Sequence, residues 1–256
     1  MESVRIVQFT DTHLFGDAAE RLRGIATLGT LRAVLAQANA QIRAAAAVLV
    51  TGDLVQDDAT GYAAFVAAFG ALGRPILTLP GNHDDLPAMR HAVRGTPFQY
   101  CGHLDLGSWR IVMIDSVKPG AAEGRLSAEA LAQLRSSLAG AADRHVLVCL
   151  HHQPVTMHSR WLDTVGLENQ DAFFELIDAH RCVRAVLWGH VHQSYDGERK
   201  GVRLLATPST CAQFLPYAND FALDAKPPAY RILELTADGA VQTEVLWLEQ
   251  PLSGSA

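Results

Sequence analysis

The sequence is poor in cysteine and short of positive charge, and each shortage excludes something. Four cysteines occur in 256 residues, Cys101, Cys149, Cys182 and Cys211, and no two of them form a CxxC pair. That rules out a dense disulfide framework and implies a reducing compartment. Cys149 and Cys182 lie in apolar runs and read as small core residues. Lysine and arginine number 21 against 27 acidic residues, a formal net charge of −6. A surface of that sign argues against a nucleic-acid polymer as partner, because backbone binding needs basic patches. No apolar run reaches the ~20 residues of a membrane span, since Asp, Arg, Gly or Pro interrupts each one, so no membrane partner is expected. The opening MESVRIVQFTD enters a strand at once, without the charged and then apolar pattern of a secretory leader, and the expected compartment is the cytoplasm. No Pro-, Gly- or Ser-rich linker divides the chain. A single domain is expected over residues 1–250, with 251–256 as a frayed tail.

What the chain does have is a core-sized apolar content, 49%, with 19% charged residues, as a globular protein should. Short β-branched or leucine-rich runs alternate with alanine-rich helical stretches. The expected strands are Val4–Phe9, Ala46–Thr51, Ile76–Leu79, Arg110–Ile114, His145–Leu150, Arg184–Trp188, Gly201–Ala206, Tyr230–Leu235 and Val241–Leu246. The expected helices are Thr27–Arg43, Tyr62–Leu72, Ser127–Leu138 and Asn169–His180, with Ser127 capping the third and Asn169 or Asp171 the fourth. The final third loses its helices and turns to strand. The pattern predicts an α/β fold of two sheets with helices outside.

Chemistry gathers at strand ends. RIVQF runs into Thr10-Asp11-Thr12-His13, AVLVT into Gly52-Asp53, PILTLP into Gly81-Asn82-His83-Asp84, VLVCL into His151-His152, and AVLW into Gly189-His190-Val191-His192. In open α/β sheets, ligands bind beyond the carboxyl ends of strands, so five such clusters converge if their strands share an edge. The i and i+2 spacing of Asp11 with His13, and of His190 with His192, points both side chains of each pair the same way on extended backbone. Singly, each cluster also reads as a surface turn or a satisfied histidine. Taken together they offer two carboxylates, an amide oxygen and several imidazoles, with no thiolate. That donor set suits Fe, Mn, Zn or Co better than Ca or Mg, and seven candidate ligands suit two ions better than one.

DTH, GDLVQD, GNHD, HH and GHVH resemble the five sequence blocks of the calcineurin-like metallophosphoesterases, over Asp11 to His192. AAEGRLSAEALAQL, SRWLDTVGLEN, GHVHQ and TPSTCAQFLP are further similar to the bacterial class III cyclic nucleotide phosphodiesterases. The resemblance implies a four-layer α/β/β/α sandwich of two mixed sheets. It implies two divalent or mixed-valence metal ions, one held by Asp11, His13, Asp53 and His192. The other is held by Asp53, Asn82, His151 and His190, with Asp53 bridging. It implies His83 near the substrate phosphate, with His13, Asp53, Asn82 and His192 also facing substrate. Gln153 departs from the family, which often has Pro after the histidine pair.

Two such ions yield hydroxide from water near neutral pH and spread the charge on a phosphoryl group. His83 can then donate to a phosphate or leaving oxygen, and Asp84 either orients His83 or caps a helix from Leu86 to Val93. Asp57 and Asp58 read as caps for the following helix. His152 is open between a supporting role and packing, Ser209 and Thr210 between a turn and a substrate wall, and Trp161 between loop packing and cover for a base. The expected activity is hydrolysis of a small phosphodiester, 3′,5′-cyclic AMP foremost. A glycerophosphodiesterase or another phosphoesterase on the same centre is the alternative, and a non-catalytic metal-binding scaffold a weaker one. The substrate is the expected partner, and a homo-oligomer stays open.

Overall fold

A computed structural model describes residues 3–141 and 143–249. The tail expected at 251–256 lies outside the described residues. Two six-stranded mixed sheets dominate. The first runs β14 (Val241–Trp247), β13 (Ala229–Leu235), β1 (Val4–Phe9), β2 (Ala47–Thr51), β3 (Ile76–Leu79) and β4 (Phe98–Tyr100). The second runs β5 (Gly102–Leu106), β6 (Trp109–Met113), β7 (His145–Cys149), β8 (Val183–Trp188), β10 (Val202–Ala206) and β9 (Tyr195–Arg199). A short hairpin, β11 (Gln213–Phe214) with β12 (Leu223–Asp224), stands apart.

The layers follow from alternation along fully buried strands. In β2, Val48 and Val50 face the helices α1 (Thr27–Gln37), α2 (Asn39–Ala44), α3 (Tyr62–Gly70) and α4 (Leu86–Ala92), whereas Ala47 and Leu49 face the second sheet. In β7, Val146 and Val148 meet α5 (Ala128–Ala139) and α6 (Gln170–Ala179), and Leu147 and Cys149 face the first sheet. The four layers expected from the resemblance are therefore present. Phe65 and Phe69 of α3 are fully buried against Phe9 and Phe98. Truncating either to alanine costs about 3–5 kcal/mol, a large share of a domain's stability.

Several expectations need correction. The helix expected at Thr27–Arg43 breaks at Ala38, whose turn lets Ile42 of α2 reach the same core as Leu31 and Val34. Ser127 caps α5 as expected, accepting from Ala130 N. Asn169 makes no side-chain cap on α6; its amide instead exchanges two bonds with the backbone of Leu126, tying α6 to the start of α5. Asp85, not Asp84, caps α4 through Ala88 N. Strands β4, β5, β9, β11 and β12 are absent from the expected set. Cys182 is only half-buried, whereas Cys149 lies in the core.

The parallel strands β1, β2 and β3 of one sheet and β7 and β8 of the other finish on the same rim. There Gly189 N donates to His151 O, and Asp11 N to Gly52 O. The two sheets thus bring all five polar clusters to one edge.

Candidate active site

Asp11, His13, Asp53, His190 and His192 all leave their strands in the left-handed region, with φ of 54°, 44°, 50°, 65° and 47°. Non-glycine residues seldom go there, and aspartate and histidine do so more readily than most. The extended i and i+2 geometry expected for the two pairs is therefore absent. The chain reaches the same convergence by kinking at each residue, and His13 N bonded to Asp53 O locks one kink to another. Close approach also explains the glycines. A Cβ on Gly81 would sit on Asp53 Oδ1 and 2.7 Å from His151 Nε2, and one on Gly189 would meet Thr10 Oγ1 and lie 2.6 Å from Asp11 Oδ2.

The donors form four overlapping groups whose atoms lie within 4.8 Å of one another. These are Asp11, His13 and His192; Asp11, Asp53 and His151; His13, Asp53 and His83; and His151, His152 and His190. Asp53 Oδ2 lies 3.3 Å from His151 Nε2 and 3.7 Å from His13 Nε2, so Asp53 stands between the two histidine sets. Asp11 Oδ1 lies 3.3 Å from His192 Nε2. Carbonyl oxygens fix the rings from behind. His151 Nδ1 meets Thr51 O at 2.8 Å, His192 Nδ1 meets Ala212 O at 2.8 Å, and His190 Nε2 meets Val165 O at 3.1 Å. Donation to a carbonyl leaves the opposite ring nitrogen with its lone pair toward the centre, as a metal-ligating histidine requires.

The electrostatics of the cluster follow from burial and from close carboxylate–imidazole pairs. Asp11 and Asp53 are almost wholly buried. Burial pushes both carboxyls up, yet the histidines, His192 for Asp11 and His151 for Asp53, more than offset it and hold both below the usual range. Burial likewise pushes His13 down to about 4 and His190 well below its ordinary value. Burial lowers His151 too, but Asp53 overrides it and raises His151 to about 9. Buried carboxylates need countercharge, and a proton on His151 supplies it where a cation otherwise could. Asn82 Oδ1 and His13 Nδ1 are buried without hydrogen-bond partners. Ionised carboxylates, the neutral imidazoles of His13 and His190 and an orphaned amide oxygen together fit a divalent transition metal.

His83 overlooks this centre. Its backbone N–H donates to Asp53 Oδ1 at 2.9 Å, and its ring Nδ1 lies 2.9 Å from Asp57 Oδ2. The expected orienting partner, Asp84, is engaged elsewhere. Its carboxylate accepts from Gly81 N, Leu54 N, Val55 N and the Tyr62 hydroxyl. Sequence reasoning missed Asp57 by pairing it with Asp58 as a cap. Asp58 does cap, accepting from Thr60 N, while Asp57 turns back to the histidine. Ser209 and Thr210 are buried behind Asp11, not on a substrate wall, with Ser209 Oγ donating to Asp11 O and Thr210 N to Thr10 O. His152 is packed beside His190, its Nδ1 2.9 Å from Ser116 Oγ. Gln153, the departure from the family pattern, donates to Leu162 O and so holds the loop beside the cleft.

A cleft of about 240 Å³ opens over the centre. It is lined by the polar His13, Asp53, Asn82, His83, His190 and His192 and by Leu22, Arg23, Trp161, Leu162, Val165, Phe214 and Phe221.

Comparison with known proteins agrees with this architecture. The calcineurin-like phosphoesterase family pattern matches residues 4–194. The chain is 39% identical over 244 residues to the 3′,5′-cyclic adenosine monophosphate phosphodiesterase CpdA of Pseudomonas aeruginosa, covering 95% of this chain and 89% of that one. It is also 39% identical over 244 residues to the protein of that name from Escherichia coli K12, covering 94% and 89%. Among solved structures, a dimetal phosphatase of Danio rerio superposes with a TM-score of 0.66 at 14% identity, over 97% of this chain and 100% of that one, a likeness of fold.

Proposed function

Because the chain belongs to the calcineurin-like phosphoesterase family, we propose that it hydrolyses 3′,5′-cyclic AMP to 5′-AMP at a pair of divalent or mixed-valence ions, Fe, Mn, Zn or Co. The observation that carries this reading is the meeting of two histidine sets at Asp53, with Asn82 Oδ1 buried and unpaired beside them. In this reading Asp11, His13, Asp53 and His192 hold one ion, and Asp53, Asn82, His151 and His190 the other. Relatives at 39% identity that carry the cyclic AMP phosphodiesterase name support the substrate.

Bound ions supply Lewis-acid charge to a phosphoryl group and acidify water. The chain's own groups do the rest. Asn82 is a neutral donor and adds no negative charge to repel a phosphate. Asp57 accepts from His83 Nδ1–H and turns the other ring nitrogen toward the cleft. His83 then gives a hydrogen bond or a proton to a phosphate or leaving oxygen. Burial lowers the pKa of His83, but the charges of Asp53 and Asp57 raise it above its ordinary value, which favours the protonated, donating form. We take 1–250 as one catalytic unit, since β13 pairs with β1 and β14 extends the same sheet. The free thiols of Cys101, Cys149, Cys182 and Cys211 suit a reducing setting, and we place the protein in the cytoplasm on that ground. Among the described residues no helix is long and apolar enough to cross a membrane.

A rate comparison on cyclic AMP, glycerophosphoethanolamine and a phosphomonoester with added Mn²⁺ tests this reading. Cyclic AMP should have the highest kcat/KM. Faster turnover of either other compound moves the substrate assignment, and no turnover of any overturns the enzymatic reading.

A further inference from the structure

The cleft carries a second set of lining residues besides the histidines and carboxylates. Beside the histidines and carboxylates stands a wall of three aromatic rings. Trp161 meets Phe214 at 5.2 Å and 70°, and Phe221 at 5.2 Å and 72°; Phe214 meets Phe221 at 5.3 Å and 72°. Each pair is edge-to-face, the arrangement that ring quadrupoles favour. The Arg23 guanidinium lies 4.2 Å above the Phe221 ring. Phe214 is stacked on His192 at 4.0 Å and 4°, so the wall begins directly on a candidate metal ligand.

Three separate segments build this wall, and each is held in place. Leu22 and Ile25 exchange backbone bonds that close the tight turn carrying Arg23. The Asp163 carboxylate accepts from Met157 N and Ser159 N, which stiffens the loop bearing Trp161. Ser159 Oγ donates to Ala218 O at 2.7 Å and ties that loop to the β11–β12 hairpin. These bonds fix the segments that carry the wall. Even so, Phe221 leaves 38% of its surface in water at the mouth of the site. A large apolar ring and a guanidinium kept exposed beside a polar floor suit a ligand with an anionic end and a flat, apolar, π-rich end.

We infer that the Trp161, Phe214 and Phe221 wall, with Arg23, is the subsite that receives the purine base of a cyclic nucleotide and selects it over base-free phosphodiesters. This rests on the phosphodiesterase reading above and adds the residues that choose the substrate. Phe221 offers a stacking face, and Arg23 adds a cation to the same platform. Base–aromatic stacking of this kind is worth roughly fivefold to a hundredfold in binding by alanine substitution.

The test compares kcat/KM for cyclic AMP with that for a methyl riboside 3′,5′-cyclic phosphate, which has the same diester and no base. The ratio should fall about tenfold in Phe221→Ala and severalfold in Arg23→Ala. Arg23 sits on an exposed turn, so its replacement keeps the test alive if the Phe221 variant folds poorly. A ratio equal to that of the unaltered protein in both variants overturns the subsite. Calorimetric binding of adenosine, which has the base and no phosphate, separates this inference from the phosphodiesterase reading. Adenosine bound by the unaltered protein and more weakly by both variants sustains the wall even where cyclic AMP is not turned over. Equal or absent binding in all three overturns it.

Discussion

Asp57 Oδ2 lies 2.9 Å from His83 Nδ1, although no helix or strand relates the two residues. The contact forms because Asp57 N donates to His83 O, which draws the loop after β2 against the loop after β3. Gln56 Nε2 donates to the same Asp57 oxygen and steadies it. His83 is therefore aimed from the side away from the cleft by a carboxylate that is itself held.

Asp57→Asn should lower kcat about tenfold with little change in KM, the usual scale for a group that orients a catalytic ring. His83→Ala should cost about a hundredfold or more. Because Asp57 acts through His83, the double variant should be no slower than His83→Ala alone. Steady-state kinetics on the four proteins decides it, and additive losses would show Asp57 acting by another route.

Asp84 has a structural task. All four of its partners are donors, and burial followed by the Asp53 charge pushes its carboxyl up to about 7 against them. In Asp84→Asn the new NH₂ must face an N–H or O–H, leaving a buried donor unpaired at a cost of about 1–3 kcal/mol. Urea unfolding should show that loss, and Tyr62→Phe a smaller one of about 1 kcal/mol. An unchanged midpoint for Asp84→Asn would contradict this assignment.

Gly81→Ala tests the close approach at the centre. The added methyl would press on Asp53 Oδ1 and on the His151 ring. Such crowding costs about 1–3 kcal/mol and displaces the carboxylate proposed to bridge the two ions. Elemental analysis should find metal reduced, with turnover falling in step. Full metal content and full activity would show that Gly81 is not needed for space.

Removing metal should destabilise the fold. Asp11 and Asp53 then rely on histidine protons alone for countercharge. A ligand at a hundredfold excess over its Kd adds about 2.7 kcal/mol to folding stability, so chelation should lower the thermal midpoint and added Mn²⁺ should restore it. A midpoint indifferent to chelator would place the cations elsewhere.

The clustering of the proposed metal ligands was legible because each follows on an apolar strand, and strand ends converge. The same alternation along β2 and β7 made the layers legible. Asp57 was not, since its partner is 26 residues away and no local periodicity relates them. Strands β5 and β9 have alternating burial at half-exposed edges, GHLDL and YDGER, and their charges and glycines read as loops. Trp161 was noticed through the SRWLD segment; Phe214 falls in the TPSTCAQFLP segment without being singled out, and Phe221 was missed, because single aromatics carry no period. The left-handed kinks at Asp11 and His190 were also hidden, because aspartate and histidine, unlike glycine, do not announce that conformation.

The most direct measurement is the number of Mn²⁺ ions bound per chain by the metal-stripped protein and by its Asn82→Ala variant, with cyclic AMP turnover followed in the same titration. About two ions with full turnover are predicted for the first, and about one with turnover nearly lost for the second. Full turnover with a single ion, or two ions retained after Asn82 is removed, would contradict a centre shared between two cations.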